Sequence, residues 1–431
     1  MSDNKLKVLL IVEQCNPDWA SVPLVGYNFF HKIHDLVDAT LVTHIRNKPA
    51  LEKHPEYEKI IYLEEGNFNK QYYKIVAKIT ANGRVNWPLY NALSYPIYEE
   101  FNQQVYQKFH SKVLKGDYDI VHAITPMMPR YPFKIVSVCQ NTPFLLGPVN
   151  GGIPFPPGFQ ETAKQEFAQF NFLRAVGRAL IPGYVETYKK ADKILAGSTY
   201  TLNMLKDLFA IPDQRIQLFY ENGIASSFLK QEQKNKNGGQ INLLFVGRLV
   251  PYKCADILIE SVNRLEPTIK EKVHLTIVGD GQERKALETQ VEKLNLVQKV
   301  KFAGWVGQAE TLDYYKQADI FCFPSIREFG GAVVMEAMAC GLPCIVPNNG
   351  GIAEYVTEET GFKIEPTSRE YLTQELTNKI KILVEDDRLR EVMSAKCIAK
   401  AKEFAWEPKA EKIVEIYHKM IYDKKNTARS K

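Results

Sequence analysis

From residue 241 onward, short runs of buried-type residues alternate with segments that carry apolar residues at helical spacing. This order predicts a parallel sheet whose strands are joined by crossover helices. Residues 241–247 (INLLFVG) read as a buried strand, and 255–265 place Ile257, Leu258, Ser261, Val262 and Leu265 on one helical face. Strands follow at 273–281, which ends in a turn, and at 300–305, 320–325 and 343–347, with helices at 282–294, 309–316 and 332–339. The first half starts alike, with a strand at 8–12, a proline-bearing loop, a helix around 27–36 and a strand near 39–43. Later come 119–124 (DIVHAI), 143–149 (PFLLGPV) and 193–198 (KILAGS), each a strand ending in a turn. The pattern predicts an α/β chain of two doubly wound domains, 1–230 and 241–403, joined by a polar, glycine-bearing linker at 231–240. A last helix is read at 404–422, ahead of a polar, basic tail expected to be disordered.

Composition narrows the class. Apolar residues make up 45% and charged residues 24%, ordinary globular usage. Lys and Arg total 55 against 50 acids, and a net charge of +5 on 431 residues is too small for a dedicated nucleic-acid binder. The seven cysteines are scattered with no CxxC pair, so neither a disulfide framework nor a zinc site is indicated and a reducing cytoplasm is expected. The apolar run at 8–12 is too short for a signal-peptide core, and no stretch reaches the length of a membrane span.

In doubly wound sheets ligands bind beyond the carboxyl ends of the strands, so the chemistry is sought in the turns there. After strand 241–247, Gly247 admits close backbone approach, and Arg248 and Lys253 set two cations on one loop ahead of a helix, as a diphosphate would require. Two solvated loop charges would look the same in isolation. In 325–343 (SIREFGGAVVMEAMACGLP), Glu328 lies on a loop and Glu336 about one and a half turns into a helix that starts near Gly331. Val333, Val334, Met335, Ala337, Met338 and Ala339 surround Glu336, so its carboxylate needs a polar partner. A pair of ribose hydroxyls or a structural cation would serve. Phe329, Gly330 and Gly331 make a turn whose amides can hold sugar hydroxyls or phosphate oxygens.

Taken together and in this order, GRLVPYK, VGDG, FAGWV, EFGGAVVMEAMACGLP and NNGGIAEYV resemble the retaining family 4 (group 1) glycosyltransferases of the GT-B fold. The resemblance implies two Rossmann-like domains facing a cleft, a last helix at 404–422 that packs back on the first of them, a nucleotide sugar held mainly by the C-terminal one, and no metal or other cofactor. It implies that Arg248 and Lys253 neutralise the donor diphosphate, that Glu336 binds the ribose, and that Glu328 with the amides of Phe329 to Gly331 touches the transferred sugar. Gly247, Gly279, Trp305, Val306 and Val333 complete the expected donor pocket, with Trp305 and Val306 against the base. Similar enzymes often have glycine after the lysine. Here it is Cys254, still small, and little change is expected. A UDP-sugar is the commonest donor in similar enzymes. The implied reaction is front-face hexose transfer, with retention, to a saccharide, lipid-linked or small-molecule hydroxyl, as in polysaccharide biosynthesis. An epimerase of the same architecture and a non-catalytic saccharide-binding protein are the rival readings.

In the first domain, DIVH puts His122 at a strand end, where the resemblance implies a catalytic histidine approaching the sugar. Ile124 stands where some members have a further histidine, so positioning is expected of His122 in place of base catalysis. The loop 147–159 (GPVNGGIPFPPGF) cannot be helical, and the resemblance makes Asn150, Gly151 and Gly152 its acceptor contacts. The 16–26 loop lacks the double glycine of many relatives, with Gly26 as a weak substitute. Residues 66–134 carry nine Lys and Arg against four acids, interleaved with Tyr and Trp87. A solvated face is the plainer explanation, and peripheral contact with an anionic membrane is the alternative.

Overall fold

A computed structural model of the chain describes residues 5–82, 84–229 and 239–429. They divide into two compact units, one of Met1–Gly152, Phe167–Glu221 and Trp406–Lys431, the other of Ile153–Glu166 and Asn222–Ala405. The division departs from the expected boundary at 230. Segment 222–229 joins the second unit because Ile224 N–H donates to the Phe404 carbonyl (2.8 Å) and the Phe228 ring meets the edge of Tyr315. Segment 153–166 joins it because the Ile153 carbonyl accepts from Arg327 Nε (2.8 Å), whose guanidinium also lies over the Phe155 ring. The expected linker lies, apart from Gly239 and Gln240, outside the described residues.

The first unit holds strands β1 (Lys7–Val12), β2 (Asp38–His44), β3 (Ile60–Leu63), β4 (Ile120–Thr125), β5 (Phe144–Val149), β6 (Lys193–Ala196) and β7 (Ile216–Leu218). They form one parallel sheet in the order β3-β2-β1-β4-β5-β6-β7. Alternate side chains face opposite ways. Leu9 and Ile11 therefore enter a core with Val121, Phe144 and Leu146, while Val8, Leu10 and Val12 enter another with Phe29, Phe30 and Ile33. That second core is closed by helix Trp406–Arg429 through Trp406, Ile413, Tyr417 and Met420, with the Trp406 and Phe29 rings edge to face at 5.0 Å. The helix runs on through the tail expected to be disordered, where Lys424 bonds Asp192 at 2.6 Å.

The second unit holds β8 (Ile241–Val246), β9 (Val273–Val278), β10 (Val300–Gly304), β11 (Ile320–Cys322), β12 (Cys344–Pro347) and β13 (Gly361–Ile364), parallel in the order β10-β9-β8-β11-β12-β13. Both sheets reverse their chain order once, between β1 and β4 and between β8 and β11. Such a switch point opens a crevice at the carboxyl ends of the strands. The seven cysteines are free thiols, all buried except Cys340.

His122 is fully buried on β4 with both ring nitrogens bonded. The Gly147 carbonyl can only accept, so Nε2–H donates to it at 2.7 Å, and Nδ1 must then accept from the Tyr417 hydroxyl, also at 2.7 Å. Burial pushes the imidazole pKa down to about 4. The folded state thus binds its proton less readily than the unfolded chain, and this contribution is present above about pH 6.5 and lost as pH falls toward 4. The loss across that window amounts to about 3 kcal/mol. Urea unfolding of a His122→Gln variant is expected to show a flatter fall in stability between pH 6.5 and 4 than the parent chain. Parallel curves would remove His122 from this role.

Candidate functional site

At the switch point of the second unit, three glycines end three adjacent strands. Gly247 N–H donates to the Val278 carbonyl (2.9 Å), and Gly279 N–H to that of Gly304 (2.7 Å). A Cβ on Gly279 would stand 2.0 Å from the Gly247 carbonyl oxygen, and its φ of +133° itself favours glycine. The Gly247 and Gly279 backbones can lie this close only without a side chain at Gly279. Beyond them Trp305 projects with 76% of its surface exposed and Val306 is half-buried, so neither is consumed by the core.

The loop after β8 turns through a short 3-10 segment, Pro251–Lys253, which buries Lys253. Its ammonium pairs with Glu328, from the loop after β11, and lies 4.6 Å from the centre of the Phe323 ring. Glu328 also accepts from the Ser325 hydroxyl at 3.2 Å. Arg248 is exposed, its guanidinium donating to the Tyr252 hydroxyl at 3.0 Å. Lys253 and Glu328, from the two loops flanking the switch point, thus meet, and Tyr252 contacts both Arg248 and Lys253, whose ammonium lies 5.4 Å from its ring centre. Cys254 occupies the left-handed region, φ 53° and ψ 38°, which is the physical reason a glycine suits this position. The cysteine carries a strain of about 1 kcal/mol there. Burial raises its thiol pKa, so it is unreactive packing.

Glu336, 8% exposed on helix Ala332–Ala339, accepts from the Tyr315 hydroxyl at 3.0 Å. One partner is thus a phenol, a group the sequence reading did not foresee. Burial, with the Glu336 carboxylate next to it, pushes the Tyr315 pKa well above its ordinary value and keeps this donor protonated. Tyr315 also reaches the Val333 carbonyl (3.3 Å), tying the first turn of the helix to Gln308–Gln317. The turn Phe329 to Gly331 is braced from behind: Gly351 N–H donates to the Glu328 carbonyl (3.0 Å), and Asn349 Nδ2 to that of Ile326 (2.7 Å). A Cβ on Gly350 or Gly351 would stand 2.1 Å or 1.9 Å from the carbonyl oxygen of Glu328 or Phe329. Ser325, Tyr315, Arg327 and Asn349 were missed by sequence reasoning. Asn349 opens the NGG run that marks the brace, whereas nothing local marks Tyr315.

The first unit corrects three expectations. His122 faces the core and not a cleft, since its two nitrogens are occupied by Gly147 and Tyr417 and it is a structural link between β4, β5 and the last helix. Asn150 is 2% exposed and its Oδ1 accepts from Ser198 (2.9 Å) and Thr201 (2.8 Å), so it anchors the loop in place of offering a contact. Gly151 is buried alongside it, and Gly152 alone of the three keeps partial exposure, at φ +86°. Gly26 lets helix Val22–His34 approach the end of β1, where a Cβ would stand 2.3 Å from the Gln14 carbonyl oxygen.

Two doubly wound parallel sheets, one with an ion pair joining the loops that flank its switch point, define the doubly wound α/β class. Residues 227–402 match the family model of Glycosyl transferases group 1. A D-inositol 3-phosphate glycosyltransferase of Kineococcus radiotolerans is 24% identical over 262 residues, 56% of this chain and 60% of that protein. An uncharacterized glycosyltransferase of Methanocaldococcus jannaschii is 28% identical over 231 residues, 53% of this chain and 60% of that one. The chain thus spans about three fifths of the length of these curated relatives. The Anabaena protein HepE, solved with UDP, superposes with a TM-score of 0.63 at 19% identity, covering 96% of this chain and 100% of its own. Sucrose-phosphate synthase of Thermosynechococcus elongatus does so with a TM-score of 0.66 at 18% identity, covering 97% and 100%. The fold is GT-B.

Breaking a buried ion pair from one side leaves an uncompensated charge, which costs about 3–5 kcal/mol. Lys253→Met is therefore expected to lower unfolding free energy by about 3 kcal/mol, and adding Glu328→Leu to restore part of that loss. Additive losses in a urea double-mutant cycle would show that the pair is not coupled.

Proposed function

We propose that this chain is a retaining glycosyltransferase that moves a hexose from a UDP-sugar to a saccharide, lipid-linked or small-molecule hydroxyl, in the cytoplasm and without a metal. The observation that carries this reading is the pairing of Lys253 with Glu328 beside the switch point, with Arg248 on the loop of Lys253 and Glu336 on the helix that follows Glu328. The relatives support it: several are named glycosyltransferases, and HepE was solved with UDP, with UDP and glucose, and with UDP-glucose.

In the proposed reaction the bond from the anomeric carbon to the diphosphate oxygen breaks, and negative charge builds on the departing phosphate. Arg248 and Lys253 stabilise that charge more as it develops than before, the condition for catalysis as distinct from mere binding. They supply the positive charge a divalent cation would otherwise bring. The acceptor oxygen bonds to the anomeric carbon from the face the diphosphate leaves, and its proton passes to the departing phosphate oxygen. Glu328, already oriented by Lys253 and Ser325, accepts from a sugar hydroxyl, and Glu336, oriented by Tyr315, accepts from the ribose. Gly247, Gly279, Trp305, Val306, the amides of Phe329, Gly330 and Gly331, and Val333 border the donor. On the acceptor side Gly152 is the remaining loop contact from the expected set.

Incubation with UDP-hexoses and an acceptor panel in the presence of a chelator, read by NMR, tests each part. A product with the donor's anomeric configuration is expected, and Lys253→Ala should lower kcat/KM by about 10²–10³-fold. An inverted product, isomerised donor without transfer, or an unaffected Lys253→Ala variant would each overturn the proposal.

A further inference from the structure

Helix Asn67–Thr80 turns Asn69, Val76 and Thr80 inward yet leaves Phe68, Ile75 and Ile79 exposed. At helical spacing these three form one ridge, and Lys70, Lys74 and Lys78 form another beside it. Segment 172–180 repeats the arrangement, with Phe172, Val176 and Leu180 at successive i+4 positions exposed and Arg174 and Arg178 between them. Helix Trp87–Leu93 packs against both Asn67–Thr80 and Leu173–Leu180, and sets the exposed Trp87 at its start. These apolar side chains are between 40% (Val176) and 74% (Phe68) exposed, all within the first unit. Scattered singly they would need no explanation, but two ridges on helices joined by a third make a patch.

Charge decides what covers it. Residues 67–98 contain Lys70, Lys74, Lys78 and Arg84 and no acid, and 167–185 contain Arg174 and Arg178 and no acid. A second copy of the chain meeting this face about a two-fold axis would bring like charges together. A surface that is apolar inside and anionic outside satisfies both features, and amphipathic helices with exposed aromatic residues and flanking cations lie in such an interface. Among the described residues no helix is long and apolar enough to cross a membrane, so the contact is lateral.

We propose that the face formed by Asn67–Thr80, Trp87–Leu93 and 172–180 docks the first unit on an anionic lipid bilayer. Its apolar ridges enter the boundary between headgroups and acyl chains, and its lysines and arginines meet the lipid phosphates. Charge along 66–134 placed the surface too broadly. Lys134 is turned to Gln103 at 2.6 Å, Arg130 to Met128, and Lys112 lies over the Phe109 ring. The 172–180 ridge lies outside that stretch altogether. The proposal does not depend on the transfer reaction, since its readout is partition and not turnover.

Cosedimentation of the full chain with vesicles of phosphatidylcholine, with and without phosphatidylglycerol, is the test. Partition onto the anionic vesicles is expected to exceed that onto neutral ones by about tenfold or more at low salt, and to weaken as salt rises. The triple substitution Ile75→Ser, Ile79→Ser and Leu180→Ser should reduce it about tenfold without changing the thermal midpoint, because these side chains are exposed. Lys70→Gln, Lys74→Gln and Lys78→Gln together should erase the preference for anionic lipid. No partition onto anionic vesicles, equal partition onto both, or partition unchanged by the serine variant would overturn the proposal. So would a dimer in sedimentation that the serine variant dissociates while lipid binding is absent.

Discussion

The buried pairing of Lys253 with Glu328 is the constraint around which the second unit is arranged. An ammonium and a carboxylate withdrawn from water persist only if each has a partner at short range and the remaining lone pairs are satisfied. Ser325 on the carboxylate and the Phe323 ring against the ammonium supply part of that compensation. It can form only because β8 and β11 are neighbours in the sheet although β9 and β10 intervene in the chain: Leu243 stands against Ile320, and Leu244 against Phe321. Each loop then leaves its strand at the same end, one bringing the cation and the other the anion. The topology thus produces the juxtaposition, and the glycines at 247, 279, 350 and 351 let the loops close to hydrogen-bonding distance.

The first unit repeats the topology with a different use of its polar residues. At the end of β1, Glu13 is buried, and burial raises its pKa against the opposing pull of Arg46, whose guanidinium stands 3.6 Å away. His122, Asn150, Ser198 and Thr201 are likewise buried and hydrogen-bonded to protein groups. Their bonds tie strand ends to the loops and helices of the same unit. Lys409 shows what such burial does to a cation. Its ammonium lies over the Phe219 ring and bonds the Tyr220 carbonyl, and burial brings its pKa down to about 7. The same crossing of strands therefore holds a charge pair facing a crevice in one unit and a rigid polar lattice in the other.

This contrast governs what could be read in the chain. Strands β8 to β12 were legible because fully buried parallel strands are continuous apolar runs, and their bounds fall within a few residues of the pattern in 241–347. Helix Ala332–Ala339 was placed to the residue, since the glycines before it and the cysteine-glycine pair after it punctuate it. Arg248, Lys253, Glu328 and Glu336 drew notice as charges beside a strand end or inside an apolar helix, and of these the structure brings Lys253 and Glu328 together. What the chain did not disclose are pairings at long range. Nothing near Tyr315 announces Glu336, and nothing near His122 announces Tyr417, 295 residues away. A strand-end histidine looks the same in sequence whether its nitrogens face a ligand or a helix from the far end of the chain. The tail from Asp423 reads as polar and basic, yet it continues a helix whose apolar face was counted only as far as Tyr422.

The exposed ridges of the first unit follow from the same limit and extend it. Amphipathicity reports a stripe of apolar residues but not which neighbour covers it. In helix Asn67–Thr80 the core takes Val76, while Ile75 just before it and Ile79 three residues after it stay outside. A helix that served only to cover the sheet would have polar residues at those two positions. Their retention beside three lysines, with no acid within the helix itself, is a pattern with two faces, one satisfied by the protein's own core and one by something apolar that carries negative charge at its edge. The helix geometry separates these demands by about a quarter turn, so both can be met at once. The surface is thereby coupled to the fold: the side chains that anchor the helix fix the direction in which its second apolar face looks.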